Sequence, residues 1–260
     1  AGGGPALRAL AGVAPDFVGS VCLDDGFDDE NDGTRRVARI AIGRVLPGPV
    51  RCRGRVHEQP EHRLPVRALP VRIGHDGYLR ERLQHKRGRN RRLLLAKLAA
   101  APLDAYLWYQ LGNDHAVYAE HADAADAFGR AIELADADAP WRCDLVARAL
   151  YSMKRRSRHD DATAVAGAEL ARCAASPDFF FVLGDLLLDR AVREPQHGAQ
   201  WRPLIEAART RCLEIGEQPS LPGAVGGRGS HLAAHDLALM YDSLGDAQRA
   251  RRLREAYPPP

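Results

Sequence analysis

Small and large apolar residues near the middle of the chain recur at helical spacing and predict two packed helices. Gly112 and Ala124 are small enough to let the helices approach closely, while Trp108, Leu111 and Phe128 can fill the groove between them. A single hairpin of this kind leaves one apolar face uncovered. We therefore expect further hairpins in the rest of the chain.

The spacing of these residues resembles the tetratricopeptide (TPR) repeat. The signature positions are matched by Trp108, Leu111, Gly112, Ala124, Phe128 and Ala131, and His115 stands where a tyrosine is usual. The Leu-Gly pair recurs two repeats later at Leu183 and Gly184, and residues 237–250 match the pattern again. The pattern predicts an α-solenoid from about residue 79 onward, and a generic helical hairpin with an accidental Leu-Gly pair is the alternative.

Before residue 79, short apolar runs replace the helical spacing and predict β-strands. Residues 17–23 and 66–74 are expected to be strands, and residues 34–46 either a strand or a short helix. Residues 24–33 are predicted to be an acidic loop. The fold class expected from the sequence is therefore mainly α, with a TPR-like solenoid after a short α/β segment.

The acidic loop resembles the start of a calcium-binding loop at Asp28, Glu30, Asp32 and Gly33. The twelfth position of that loop is Arg39, where calcium binding requires a bidentate glutamate. A solvated hairpin tip is therefore favoured over a calcium site.

A basic helix is predicted from Leu79 to Ala100. It contains a single acid, Glu81, and the basic residues Arg80, Arg82, Lys86, Arg87, Arg89, Arg91, Arg92 and Lys97. Either it binds nucleic acid, or it packs by its leucines and exposes a basic face to solvent or to an acidic or phosphate-bearing ligand. Because no aromatic residue separates Tyr78 from Tyr106, and the net charge is only +3, we expect no nucleic-acid partner.

Composition adds three expectations about location. No apolar run approaches the ~20 residues that a membrane span needs, so none is predicted. Residues 1–5 carry neither an initiator methionine nor a signal peptide, which suggests an internal position of a longer reading frame. Five scattered cysteines, never in C-x-x-C spacing, favour a reducing cytoplasmic compartment with buried or idle thiols.

A series of motifs resembles the end of bacterial family 2 glycosyltransferases of the GT-A type that carry C-terminal TPR repeats. The matching residues are Gly54, Val56, His57, Glu58, His75, Gly77, Tyr78, Arg89 and Asn90, and residues 212–217 and 227–230 resemble the tail of such proteins. The strand-rich half with the D-x-D-type metal motif is missing from this sequence. The resemblance therefore implies a truncated transferase domain in residues 1–78, followed by TPR-like repeats in residues 79–257.

For the intact protein, the resemblance implies sugar transfer from a nucleotide-sugar donor to a protein or glycan acceptor, with Mn²⁺ or Mg²⁺ as cofactor. Glu58 is then the general base or a donor contact, and His57 a metal or diphosphate contact. The other implied substrate-binding residues are Arg55, His75, Tyr78, Arg89 and Asn90. The alternatives are a surface His-Glu pair, a structural hinge at His75 and Tyr78, and a non-enzymatic TPR scaffold for protein–protein interaction that binds its partner along the concave face of the repeats.

The glycine-rich segment Gly226–Ser230 precedes a predicted helix, so its backbone N–H groups could hold a phosphate. It lacks the Gly-Lys-Ser/Thr ending of a P-loop. A turn that resets the angle between the last two hairpins is therefore the favoured interpretation.

Overall fold

The computed structural model describes residues 3–10, 16–28, 35–53, 59–78 and 88–259. The chain divides into two compact units, Ala1–Ala100 and Ala101–Pro260. In the described ranges, no helix combines the length and the apolar composition that crossing a membrane requires.

A three-stranded sheet is the main element of the first unit. The strands described in this unit are β1 (Val18–Asp28), β2 (Arg35–Val45), β3 (Arg51–Arg53), β4 (Gln59–Glu61) and β5 (Val66–Tyr78). The sheet has the order β2-β1-β5, with β1 antiparallel to β2 and parallel to β5, while β3 and β4 form a separate antiparallel pair. Val18, Val21 and Val71 are buried and supply its apolar contacts. The predicted strands are confirmed, and residues 35–45 form a strand rather than a helix.

The prediction of an acidic loop from Asp24 to Gly33 is wrong in its first half, because β1 continues to Asp28. Two carboxylates that suggested a loop are paired with the neighbouring strand. Asp24 accepts two hydrogen bonds from Arg72, at 2.6 and 3.0 Å, and Asp25 lies 2.6 Å from Nδ1 of His75. Residues 29–34, which contain most of the calcium-like motif, lie outside the described residues.

Two helices complete the described part of the first unit. Helix α1 (Gly3–Leu10) packs beside β5, and helix α2 (Arg89–Ala100) buries Leu94 and Leu98. The interpretation that the basic helix packs by its leucines is confirmed at these two residues. Residues 79–87, the first part of that predicted helix, lie outside the described residues.

The second unit is a series of four helical hairpins in a TPR-like solenoid, as predicted. The hairpins pair α3 (Ala105–Val117) with α4 (His121–Leu134), α5 (Arg142–Arg155) with α6 (His159–Glu169), α7 (Pro177–Arg193) with α8 (Gly198–Ile215), and α9 (His231–Ser243) with α10 (Ala247–Ala256). Consecutive hairpins also contact each other, so the core continues from one to the next.

The first hairpin packs as its sequence predicts. Gly112 lies directly under the ring of Phe128, and a Cβ at position 112 would lie 2.9 Å from Cγ of Phe128. Ala124, Phe128 and Ala131 have no exposed surface, and Leu111 is buried. The glycine therefore permits a close approach that no larger residue would allow without movement of the ring.

Cys143 and Cys173 form a disulfide with a Cα–Cα distance of 5.5 Å. It connects the start of α5 to the turn that follows α6. The expectation of idle thiols is therefore wrong for these two cysteines, which come together because the second hairpin folds back on itself. Cys22, Cys52 and Cys212 are free thiols.

Candidate functional site

The residues implied by the glycosyltransferase resemblance are only partly described. Arg55, His57 and Glu58 lie outside the described residues, and so does the metal contact predicted for His57. Tyr78 ends β5, where its backbone pairs with Phe27. Their proposed roles stay predictions.

The other implied residues occupy two different elements. His75 lies in β5 and pairs with Asp25, whose pKa is raised by burial against the opposing effect of the histidine. Arg89 and Asn90 are exposed in the first turn of α2. Among the described residues that the resemblance implies, His75 is thus paired with an aspartate of the neighbouring strand.

An aromatic cluster joins the first two hairpins of the second unit. The ring of Trp141 stacks on Tyr109 at a centroid distance of 5.0 Å and meets Tyr106 edge-on at 5.4 Å. Tyr109 is buried and also contacts Phe128, whereas Tyr106 and Trp141 are half-buried. Two large aromatic side chains therefore remain partly accessible beside the buried core.

A cleft of about 500 Å³ opens at this cluster. Its apolar part includes Leu103, Tyr106 and Trp141, and its acidic rim is formed by Asp104, Asp136 and Asp138. Asp104 also caps α3 by accepting a hydrogen bond from the Leu107 N–H at 3.1 Å. The cleft thus combines aromatic surface with negative charge.

Polar side chains continue this surface toward the second hairpin. The hydroxyl of Tyr109 donates to the carboxylate of Asp144, which also accepts from Nε of Arg148 at 2.7 Å. Burial and the negative charge of Asp144 raise the pKa of Tyr109. The tyrosine is therefore a neutral donor at any physiological pH, and it fixes the orientation of Asp144.

The segment between the third and fourth hairpins, residues 216–230, is called the returning loop here. Its two ends meet at Gly216 and Gly229. Their backbones are so close that a Cβ at position 229 would overlap the carbonyl group of Gly216. Glu217 closes the loop by accepting from the Gly227 N–H at 2.9 Å and from Ser230 Oγ at 2.7 Å. A carboxylate of the chain itself thus accepts from the Gly227 amide, one of the N–H groups that the less favoured phosphate-binding interpretation would use.

The returning loop lies on the first helices of the two preceding hairpins. Asp178 in α7 accepts from the Val225 N–H at 3.1 Å and from Nη1 of Arg228 at 2.9 Å. Gly223 packs on Asp144 in α5, with φ of +71° and no room for a side chain. The favoured interpretation of this segment as a turn between hairpins is incomplete, since it also folds back over earlier repeats.

We call the surface that carries Tyr106, Tyr109, Asp144, Asp178 and Phe181 the first-helix surface, because each residue belongs to the first helix of its hairpin. The guanidinium of Arg228 lies 5.3 Å from the ring centroid of Phe181. Burial raises the pKa of Asp178, and the charge of Arg228 opposes that effect. The sequence offered one signal for this surface, an aspartate in the first turn of two successive repeats, and its significance was missed.

His115, Glu120 and Asp123 bring three potential metal-ligand atoms within 4.8 Å of one another at the turn of the first hairpin. Nδ1 of His115 is 2.8 Å from Glu120 and 3.8 Å from Asp123, and within the described part of the chain no other group of this kind is found. The histidine and Glu120 already hydrogen-bond to each other across the turn. The histidine that stands where TPR repeats usually have a tyrosine is thus paired with a carboxylate.

No family model matches this chain, and no curated protein matches it in sequence. Among solved structures, the chain is similar to the crystal structure of MamA, with a TM-score of 0.52 and 15% identity over 71% of this chain and 94% of that one. It is also similar to a MamA RS-1 ArsTM double mutant, with a TM-score of 0.50 and 15% identity over 68% of this chain and 89% of the other. MamA is a TPR-repeat protein, and at this identity the likeness shows the fold alone: a TPR-like solenoid.

Proposed function

We propose that this protein is an interaction scaffold whose solenoid binds an extended segment of a partner protein along the first-helix surface. The observation that carries the proposal is the cleft at Tyr106 and Trp141, which presents aromatic faces beside the acidic rim. Solenoids use such continuous surfaces to bind extended chains. Half-buried aromatic rings are well suited as anchors, because they contribute a large contact area and lose little side-chain freedom on binding.

The cleft is preorganised by the core beneath it. Tyr109 stacks under Trp141, and its hydroxyl is held by Asp144, so the accessible rings need little rearrangement to receive a ligand. A rigid site avoids part of the entropy cost of binding. A peptide with an apolar side chain for the cleft and a basic residue for the rim fits this surface.

A peptide-display selection on the full chain tests this proposal. Selected peptides are expected to bind the wild-type protein and to lose at least tenfold in affinity for the Tyr106→Ala variant. Val192→Ala is the matched control, since Val192 is an apolar side chain that is 71% exposed on the third hairpin. Equal affinity for the wild type and the Tyr106 variant, measured by calorimetry, would place the binding site elsewhere.

Sugar transfer by a longer protein and its divalent cation stay proposals that rest on the sequence resemblance alone. The cytoplasmic location stays a proposal that rests on the scattered cysteines, and the Cys143–Cys173 disulfide argues against a reducing compartment. Titration of the full chain with nucleotide sugars and Mn²⁺ or Mg²⁺ tests it directly. Binding that disappears with EDTA would support a retained donor site. No binding across the panel would leave the scaffold as the function of this chain.

A further inference from the structure

The returning loop contacts the first-helix surface in the way that a bound peptide would. Its Arg228 guanidinium makes an ion pair with Asp178 at 2.9 Å and lies over the ring of Phe181. The neighbouring Val225 donates its backbone N–H to the same carboxylate. An arginine side chain and one main-chain donor are thus recognised by a single acidic and aromatic site.

The site that receives Arg228 is formed by well-packed residues. Asp178 is 6% exposed and Phe181 contacts the third-hairpin core, whereas the side chain of Arg228 keeps 24% of its surface exposed. Beside them, Gly223 rests on Asp144, which Tyr109 and Arg148 hold in place. The helix residues in this contact are therefore buried and held by hydrogen bonds, whereas the arginine of the loop is partly accessible to solvent.

The returning loop is longer than the connection requires. The first and second hairpins are joined by residues 135–141, and the second and third by residues 170–176, whereas residues 216–230 join the third to the fourth. Loops of ~6–16 residues with adjacent ends often have a function of their own. Since its ends meet at Gly216 and Gly229, most of the loop is available to cover the first-helix surface instead of spanning a distance.

We propose that Asp144, Asp178 and Phe181 form a binding site for an arginine-bearing extended segment of a partner protein, and that the returning loop is the intramolecular occupant with which this segment competes. This inference rests on the proposed scaffold function and specifies its partner chemistry and regulation. The partner reaches the acidic and aromatic cleft at Tyr106 directly, and it reaches Asp178 only where the loop is displaced. A basic partner fits both parts, because both present carboxylates beside aromatic rings.

The loop's own sequence supplies the probe. A synthetic peptide of residues 219–230, added to the full chain, is expected to bind the wild type weakly and the Arg228→Ala variant at least tenfold more tightly. Gly223→Ala is a second way to loosen the loop, since its Cβ would lie 2.8 Å from Oδ2 of Asp144 and closer to Oδ1. Arg251→Ala is the matched control, because its side chain is 74% exposed and outside the site.

The peptide with glutamine in place of its arginine is expected to lose the binding. Circular dichroism establishes that each variant is folded, and hydrogen exchange of the wild type provides a measurement that needs no variant. An excess of the arginine peptide is expected to speed exchange at the Val225 and Gly227 amides, which are hydrogen-bonded in the closed loop. Unchanged exchange together with equal affinities for folded Arg228→Ala and wild type would overturn the inference.

The two proposals fail in distinguishable ways. Peptides selected for the cleft report on the scaffold function through Tyr106, and the loop peptide reports on the occupied site through Arg228. Binding at the cleft without any effect of Arg228→Ala would support the scaffold function and overturn the proposal that the loop competes with a partner. If neither the selected peptides nor the loop peptide bound, both proposals would be overturned.

Discussion

The first and third hairpins solve the same packing problem with different chemistry. In the first, Gly112 lies under the fully buried ring of Phe128. In the third, the corresponding Gly184 lies under the guanidinium of Arg209, which is only 3% exposed. A small residue in the first helix thus admits either an aromatic ring or a charged group from the second helix.

A charged residue is tolerated in this position because each part of it has a partner. Arg209 donates to the carbonyl of Phe181, makes an ion pair with Asp236 in the next hairpin at 2.8 Å, and stacks 4.0 Å from the Phe181 ring centroid. Arg228 of the returning loop contacts the same ring. The contact between Gly112 and Phe128 in the first hairpin is therefore apolar, whereas the corresponding contact in the third belongs to a polar network beneath the proposed binding site.

Removal of the aromatic ring from the first hairpin should have the largest effect. Phe128→Ala deletes a side chain with no exposed surface and leaves a cavity between the helices. We expect a loss of about 3–5 kcal/mol in the free energy of unfolding, measured by urea denaturation. A loss below about 1 kcal/mol would show that the first hairpin does not depend on this apolar contact.

The disulfide of the second hairpin, which lies between the two hairpins compared, should contribute slightly less. Cys143 and Cys173 are separated by 30 residues, for which a chain-entropy model gives about 3–4 kcal/mol. Reduction by a phosphine should lower the free energy of unfolding by this amount.

Without reductant, the unfolded chain should show only the thiols of Cys22, Cys52 and Cys212. Titration of five thiols would contradict the pairing. In the folded state Cys212 should stay unreactive, since burial raises its pKa to about 12.

The buried ion pair between Arg142 and Glu169 in the second hairpin tests how much a charged contact contributes to stability. Glu169 binds Arg142 through two hydrogen bonds of 2.7 and 3.0 Å. Glu169→Gln leaves the arginine without its counter-charge and should cost about 2–3 kcal/mol in the free energy of unfolding at pH 7.

The same glutamate predicts a pH dependence. The hydrogen bond from Arg142 lowers the pKa of Glu169 below its usual value of 4.5. The stabilisation is therefore present above pH 4.5 and is lost as the pH falls through the lowered pKa of the folded state. Urea denaturation between pH 6 and pH 3 should show a steeper decline for the wild type than for Glu169→Gln, and parallel curves would contradict this assignment.

The two glycines give the smallest and most direct comparison. Gly112→Ala should lose about 1–3 kcal/mol, because its Cβ overlaps a ring that has no space to move. Gly184→Ala should change stability by less than about 1 kcal/mol, since its Cβ lies 3.2 Å from the Arg209 guanidinium and alanine favours the helix. Thermal melting of the two variants measures the difference, and equal losses would show that the hairpins are packed alike.

The sequence predicted the parts of the fold that depend on neighbouring residues. The hairpin around Gly112 and Phe128 was recognisable because its small and large residues lie within one repeat. The strand from Asp24 to Asp28 was missed, because its carboxylates are paired with Arg72 and His75 from a distant strand. The spacing of apolar residues along the chain does not reveal pairing between residues that are distant in sequence.

The candidate site was missed for the same reason. Asp144 and Asp178 are ordinary first-turn aspartates in the sequence, and only the fold brings Gly223 and Arg228 against them. The glycine-rich segment was correctly placed before a helix, but its contacts lie about 47–50 residues away. A glycine indicates that the backbone approaches another part of the chain closely, but the sequence does not identify that part.

The order of strands in the first unit has a consequence for the kinetics of folding. The middle strand β1 pairs with β2, which follows it directly, but also with β5, so that Val18 must meet Val66. Each solenoid helix meets its partner within the same hairpin or the next, and such short-range contacts form rapidly. Parallel pairing across a long intervening segment is slow, because the entropy of closing that segment is lost before any contact compensates for it. After dilution from denaturant, far-ultraviolet circular dichroism should therefore recover its helical signal in a fast phase, and the sheet should complete in a later one.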